Sequence, residues 1–180
     1  LTFALPAAIE VERLRRRVAP VVGAAVVPLT YVGLVRPRLA RLGATADEAC
    51  RTLPGDDLVA GARGRSTMAT TIDAPPAEVW PWLAQMGHGR AGWYSVDRLD
   101  LFGDSSAEEL HPEWQEIAVG DRRDSAPNGR TWFDVALVEP EHALGLTARI
   151  DLRRGTSVPV GERLPRIASE SSWVFVLDPV

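Results

Sequence analysis

The chain has 180 residues, 46% of them apolar and 24% charged, with a formal net charge of −4. That is enough for one domain with a real core plus an extra segment, and the single cysteine, Cys50, excludes an internal disulfide or a cysteine metal cluster. Every basic residue is arginine; residues 1–43 carry a net charge of +5 and residues 44–180 a net of −9, which argues against nucleic-acid binding and predicts a membrane-facing end on an acidic body.

In chain order, residues 18–35 read VAPVVGAAVVPLTYVGLV, without a charge. As a helix they span roughly 27 Å, close to the hydrocarbon core of a bilayer. Arg13, Arg15, Arg16 and Arg17 lie before the run, and Arg36, Arg38 and Arg41 after it. The spacing predicts a transmembrane helix over 18–35 within an N-terminal basic and apolar segment, 1–43. A buried core helix is the alternative. A signal peptide fits less well, because charges separate the apolar run from the small residues that follow. Arginines on both sides leave the topology open.

Residues 44–65 read as a linker, with a turn at LPGDD (53–57) and a short helix over 46–51. From residue 66 the pattern is α+β. A strand is predicted over 67–73 and a helix over 75–86, where Val79, Leu83 and Met86 share one face. Pro81 should kink that helix or mark its true start. Short helices are predicted over 95–102 and 107–114, and strands over 120–125, 130–138, 143–152 and 171–177. Turn signals fall at 127–129 and 139–141, and 153–166 reads as a loop. The chain begins at Leu1 and stops just after a strand-like run, the pattern of a piece of a longer protein.

Strand, helix pair and antiparallel meander is the order of the helix-grip fold. The wording carries the likeness further. IDAPPAEVWPWLAQMGHGRAGWYSVDRLD (72–100), HPEWQEIAVGD (111–121) and SSWVFVLDP (171–179), with the lead-in RLGATADEACRTLPGDDLV (41–59), resemble uncharacterised bacterial proteins of the SRPBCC, or START-like, superfamily in its polyketide cyclase/dehydrase and lipid-transport branch. The resemblance covers about residues 41–180. It implies an antiparallel sheet around an apolar cavity, preceded by an N-terminal apolar helix, with 66–180 an incomplete START-like domain. In that superfamily a further strand and a long C-terminal helix wall the cavity; neither follows residue 180 here.

The loop Gly87–Gly92 matches G-x-G-x-x-G in letters. A dinucleotide loop follows a strand, whereas this one follows a helix, so it reads as a flexible interhelical loop. His88, His111 and His142 lack metal-ligand spacing, and no motif calls for a metal or cofactor. Six tryptophans are many for this length. Each alone fits ordinary core packing; together they suit a cavity with a few polar handles. The candidate ligand-binding residues are Trp80, Leu83, Met86, His88, Arg90, Trp93, Tyr94, Asp97, Trp132 and Trp173. Arg90 and Asp97 either pair at the cavity mouth or tie the loop as a structural ion pair, and His88 is either a ligand contact or a solvent-exposed loop residue.

No residue is assigned a catalytic role. The leading expectation is a membrane-anchored domain that binds or carries a hydrophobic small molecule, such as a lipid, isoprenoid or polyketide. One alternative is an enzyme of the cyclase/dehydrase type, with His88, Tyr94 or Asp97 in acid–base roles. The other is a non-catalytic module that uses an open groove for a protein partner.

Overall fold

A computed structural model describes residues 35–95 and 105–179. The candidate span 18–35 (but for Val35), the expected helix 95–102 (but for Ser95) and the candidate residue Asp97 lie outside them. Among the described residues, no helix is long and apolar enough to cross a membrane. The chain divides into two compact units, whose described parts are residues 35–51 with 64–70, and 52–63 with 71–179.

The first unit contains α1 (Arg36–Leu39) and α2 (Ala46–Cys50). Thr45 and Glu48 start α2 with a reciprocal capping box. The Thr45 hydroxyl accepts from the Glu48 amide at 3.2 Å, and the Glu48 carboxylate accepts from the Thr45 amide at 2.7 Å. The strand expected over 67–73 does not form. The Thr67 and Ala69 amides donate instead to the carbonyls of Ala40 and Leu42, at 2.9 and 3.1 Å. Met68 and Ile72, the larger apolar residues of that alternation, stay exposed, so no buried face fixes a register. Gly43 makes the close approach possible: its φ is +75°, and a Cβ there would fall 1.9 Å from the Ala69 carbonyl oxygen.

The second unit is α+β, a five-stranded antiparallel sheet with one α-helix of two turns or more among the described residues. That helix, α3 (Pro76–Ala84), begins on Pro76, where a missing N–H costs nothing. Pro81 lies inside it rather than at its start. The strands are β1 (Arg122–Asp124), β2 (Trp132–Glu139), β3 (Ala143–Asp151), β4 (Thr156–Ser157) and β5 (Ala168–Val176). β1 pairs with β2 and β2 with β3; β3 also pairs with β4 and β5. Each strand expected after residue 120 is present, β5 beginning three residues earlier than its apolar run. The short β4 arises in the segment read as a loop.

Period-two alternation sorts the side chains. Leu144 and Leu146 of β3, facing Phe175 and Trp173 of β5, lie on one face. A shift of register between Val135 and Leu137 lets Val135 and Val138 both join that face, although an unbroken strand would place them on opposite sides. Met86, Trp93, Val135, Leu144 and Leu146 form its buried core, with Trp80 and Leu83 of α3, Ile117, Phe133, Val138 and Phe175 packed against it. The second face is tight as well. A Cβ on Gly145 would fall 2.9 Å from Leu137 Cβ and 3.0 Å from a Leu58 methyl.

Candidate functional site

α3 stops at Ala84, and residues 85–94 turn back over one end of the core face. Gly87 and Gly92 close this loop with two backbone hydrogen bonds, Gly87 N–H to Gly92 O at 3.0 Å and the reverse at 3.1 Å. The His88 amide donates to the Asp124 carbonyl at 3.0 Å and fastens the loop to β1. Sequence reasoning expected a flexible loop; the structure has one pinned at its neck and at its tip. The amides of Gly87, His88, Arg90, Ala91 and Gly92 are engaged with protein, which does not suit a phosphate cradle.

Gln85 is 0% exposed and acts as a hub. Its amide nitrogen donates to the Tyr94 hydroxyl at 2.5 Å and the Glu109 carbonyl at 3.1 Å. Its amide oxygen accepts from the His111 amide at 3.0 Å and the Gln115 side chain at 3.1 Å. These bonds explain why the helix expected over 107–114 does not form. The Glu109 carbonyl and His111 amide that a helix would use are taken by a side chain, and only a single 3-10 turn, Pro112–Trp114, remains. Tyr94 adopts a φ of +52°, and its ring meets Trp82 edge-on at 5.8 Å. Burial raises the Tyr94 phenol above its usual value, partly opposed by the bond from Gln85.

Beside this hub lie two arginines. Arg123, in β1, points to the core face because its neighbours Arg122 and Asp124 pair with each other on the opposite one, at 2.7 Å. It is 5% exposed. Its terminal nitrogens reach the Asp121 carboxylate at 3.3 Å and the Arg122 carbonyl at 3.4 Å. Arg90 donates to the Trp114 carbonyl. Burial lowers both guanidinium pKa values. For Arg90 the nearby Arg123 charge lowers it further, and Asp121 opposes the shift in both. Arginine nevertheless keeps its proton. The Nε atoms of Arg90 and Arg123 and the Nδ1 of His88 are buried with no hydrogen-bond partner among the described residues.

An aromatic row runs away from the arginines across the sheet. Arg123 pairs with Phe133 in register. The Phe133 ring lies 5.3 Å from Trp93 and 6.1 Å from Trp173. Trp173 stacks on Trp93 at 5.9 Å and meets Phe175 at 4.6 Å. Trp93 is buried, whereas Trp173 is 42% exposed.

The structure thus gathers Trp80, Leu83, Met86, Trp93 and Trp173 around one face, with His88, Arg90 and Tyr94 in the loop at its end. Trp132 is not brought there. It follows the opposite alternation from Phe133, under the Arg122 guanidinium at 4.0 Å, and its indole N–H donates to Asp134 at 3.2 Å. Gln85 and Arg123 are the residues that sequence reasoning missed. Arg123 had a signal in the alternation of Arg122, Arg123 and Asp124. Gln85, between Ala84 and Met86, had only its apolar neighbours.

A polar depression of about 270 Å³ lies elsewhere, between the end of β3 and the 153–166 segment, lined by Asp151, Arg154, Ser157 and Glu162. It falls below the usual volume of small-molecule pockets. No group of three or more His, Cys, Asp or Glu side chains among the described residues could hold a metal. Comparison of the chain with protein-family models, curated proteins and solved structures finds no match.

Proposed function

We propose that residues 66–180 form a START-like, helix-grip domain that binds a hydrophobic small molecule of the lipid, isoprenoid or polyketide kind, and that residues 18–35 anchor it to a membrane. One observation carries this reading: the aromatic row runs unbroken from buried Trp93 through Phe133 to half-exposed Trp173 and on to Phe175. A ligand laid on that row gains about 25 cal/mol for each Å² of apolar surface removed from water. The rings are stiff, so little rotamer freedom is lost on contact. Arg90, Tyr94 and His88 sit at the end of the row and orient the ligand. The uncharged segment 18–35 keeps the domain near its ligand pool.

The test is to incubate the 180-residue chain with membrane extract, re-isolate it, and identify bound lipids by mass spectrometry. A defined apolar compound retained at near-stoichiometric level is the expected result. A protein that emerges clean, and that binds nothing in a lipid panel, contradicts the proposal.

A further inference from the structure

Two arginines lie side by side, Arg123 buried and Arg90 partly buried, and the Asp121 carboxylate acts on both. Arg123 is all but sealed, its side chain 6% exposed, and its carboxylate partner Asp121 is itself 37% exposed. Among the described residues, Arg90 finds a carbonyl, that of Trp114, and no carboxylate in hydrogen-bond reach. The acid on β1, Asp124, is committed to Arg122 on the opposite face. The two side chains meet over Gly87. A Cβ there would lie 3.2 Å from Arg123 Cδ and 3.7 Å from Arg90 Cδ, and each unpartnered Nε is one bond beyond such a Cδ. The unpartnered His88 Nδ1 belongs to the next residue. Buried donors are nearly always satisfied, and among the described residues these two cations share one acid and are left one negative charge short. Phe133 pairs with Arg123 in register and begins the aromatic row. A cationic end therefore joins an apolar track.

We infer that the ligand is an acidic amphiphile, whose single oxyanion head (carboxylate or phosphate) is received by Arg90 and Arg123, with His88 beside them, while its tail lies along Phe133, Trp173 and Phe175. The inference rests on the hydrophobic-ligand reading above and adds the chemistry of the head. Arg123 and Arg90 are binding residues here. The planar fork of a guanidinium suits the two oxygens of a carboxylate or phosphate.

The experiment follows tryptophan fluorescence while the 180-residue chain is titrated separately with dodecanoic acid, dodecyl phosphate, dodecanol and inorganic phosphate. A hydrogen bond to a charged partner contributes enough to change affinity by about tenfold to a hundredfold. Both acids are expected to bind at least about tenfold more tightly than dodecanol, and the tighter of the two identifies the head. Arg90→Gln and Arg123→Gln should each bring the acids down to the dodecanol level. Equal affinity for acids and alcohol overturns the acidic-head inference and leaves the hydrophobic-ligand reading standing. Arginine-dependent binding of inorganic phosphate, without binding of any dodecyl compound, keeps the anion site and removes the hydrophobic reading. No binding by any probe removes both. Should either variant fail to fold, the ratio of acid to alcohol on the unsubstituted chain still decides.

Discussion

Gln85 and the Arg90–Arg123 pair lie at the same end of the same sheet face, and they treat buried polarity in opposite ways. Gln85 is sealed from water, yet both its nitrogen and its oxygen make two hydrogen bonds. Arg123 is nearly as well hidden and Arg90 partly so, and among the described residues their Nε donors have no partners. A buried polar group with every bond made organises the chain around it; here it shapes the 107–114 segment. A buried polar group with bonds to spare destabilises the empty fold and gains from a ligand that completes it. The contrast separates what builds this end of the domain from what is available for binding.

That separation can be broken or sharpened by substitution. The largest effect is expected at the floor shared by both groups. Leu146→Ala should cost roughly 2–5 kcal/mol in a denaturant melt, since Leu146 is fully buried between β2 and β5. Gln85→Leu comes next, at about 2–3 kcal/mol, because it strands the Glu109 carbonyl and the His111 amide. It should also raise hydrogen exchange in residues 107–115 more than elsewhere. A change spread evenly over the domain would contradict the hub role.

A smaller loss is expected in the other unit. Thr45→Ala removes one half of the capping box and should cost about 1 kcal/mol. Hydrogen bonds from the Thr45 backbone and side chain hold the Glu48 carboxyl below its ordinary value. Its stabilisation is therefore complete above the unfolded glutamate value and is lost as pH falls through the lower folded one. Thermal melts from about pH 6 downward should show a weaker acid-side decline in Thr45→Ala than in the parent chain.

The smallest effect should be at Arg123. Arg123→Met removes one of two adjacent cations and leaves a half-exposed Asp121 that water can solvate. Without ligand it is expected to change stability by less than about 1 kcal/mol, of either sign. A loss as large as that of Gln85→Leu would make Arg123 a structural residue and erase the contrast.

The sheet was legible because the information is local. Strands β2, β3 and β5 announce themselves by alternation, and the turns at 127–129 and 139–141 punctuate them. The first strand was not, since Met68 and Ile72 of the alternation at 67–73 stay exposed and its amides find carbonyls at Ala40 and Leu42 that no periodicity could indicate. The helix expected over 107–114 failed for a comparable reason, as the side chain that unmakes it is more than twenty residues away in sequence. Among the candidate residues, Trp93, Met86 and Trp173 were found from composition and position. Trp132 joined them only through its residue type, and alternation sends it to the other face. Asp97, the partner expected for Arg90, lies outside the described residues, and among those described Arg90 meets a carbonyl and a second arginine instead.

The most direct test of a tail-binding aromatic row is photolabelling with a fatty acid that carries a diazirine near its methyl end. Irradiation followed by peptide mapping should place the label on β2 and β5, at Phe133, Trp173 or Phe175. Label confined to the polar depression around Asp151 and Glu162, or scattered over the surface, would contradict the account.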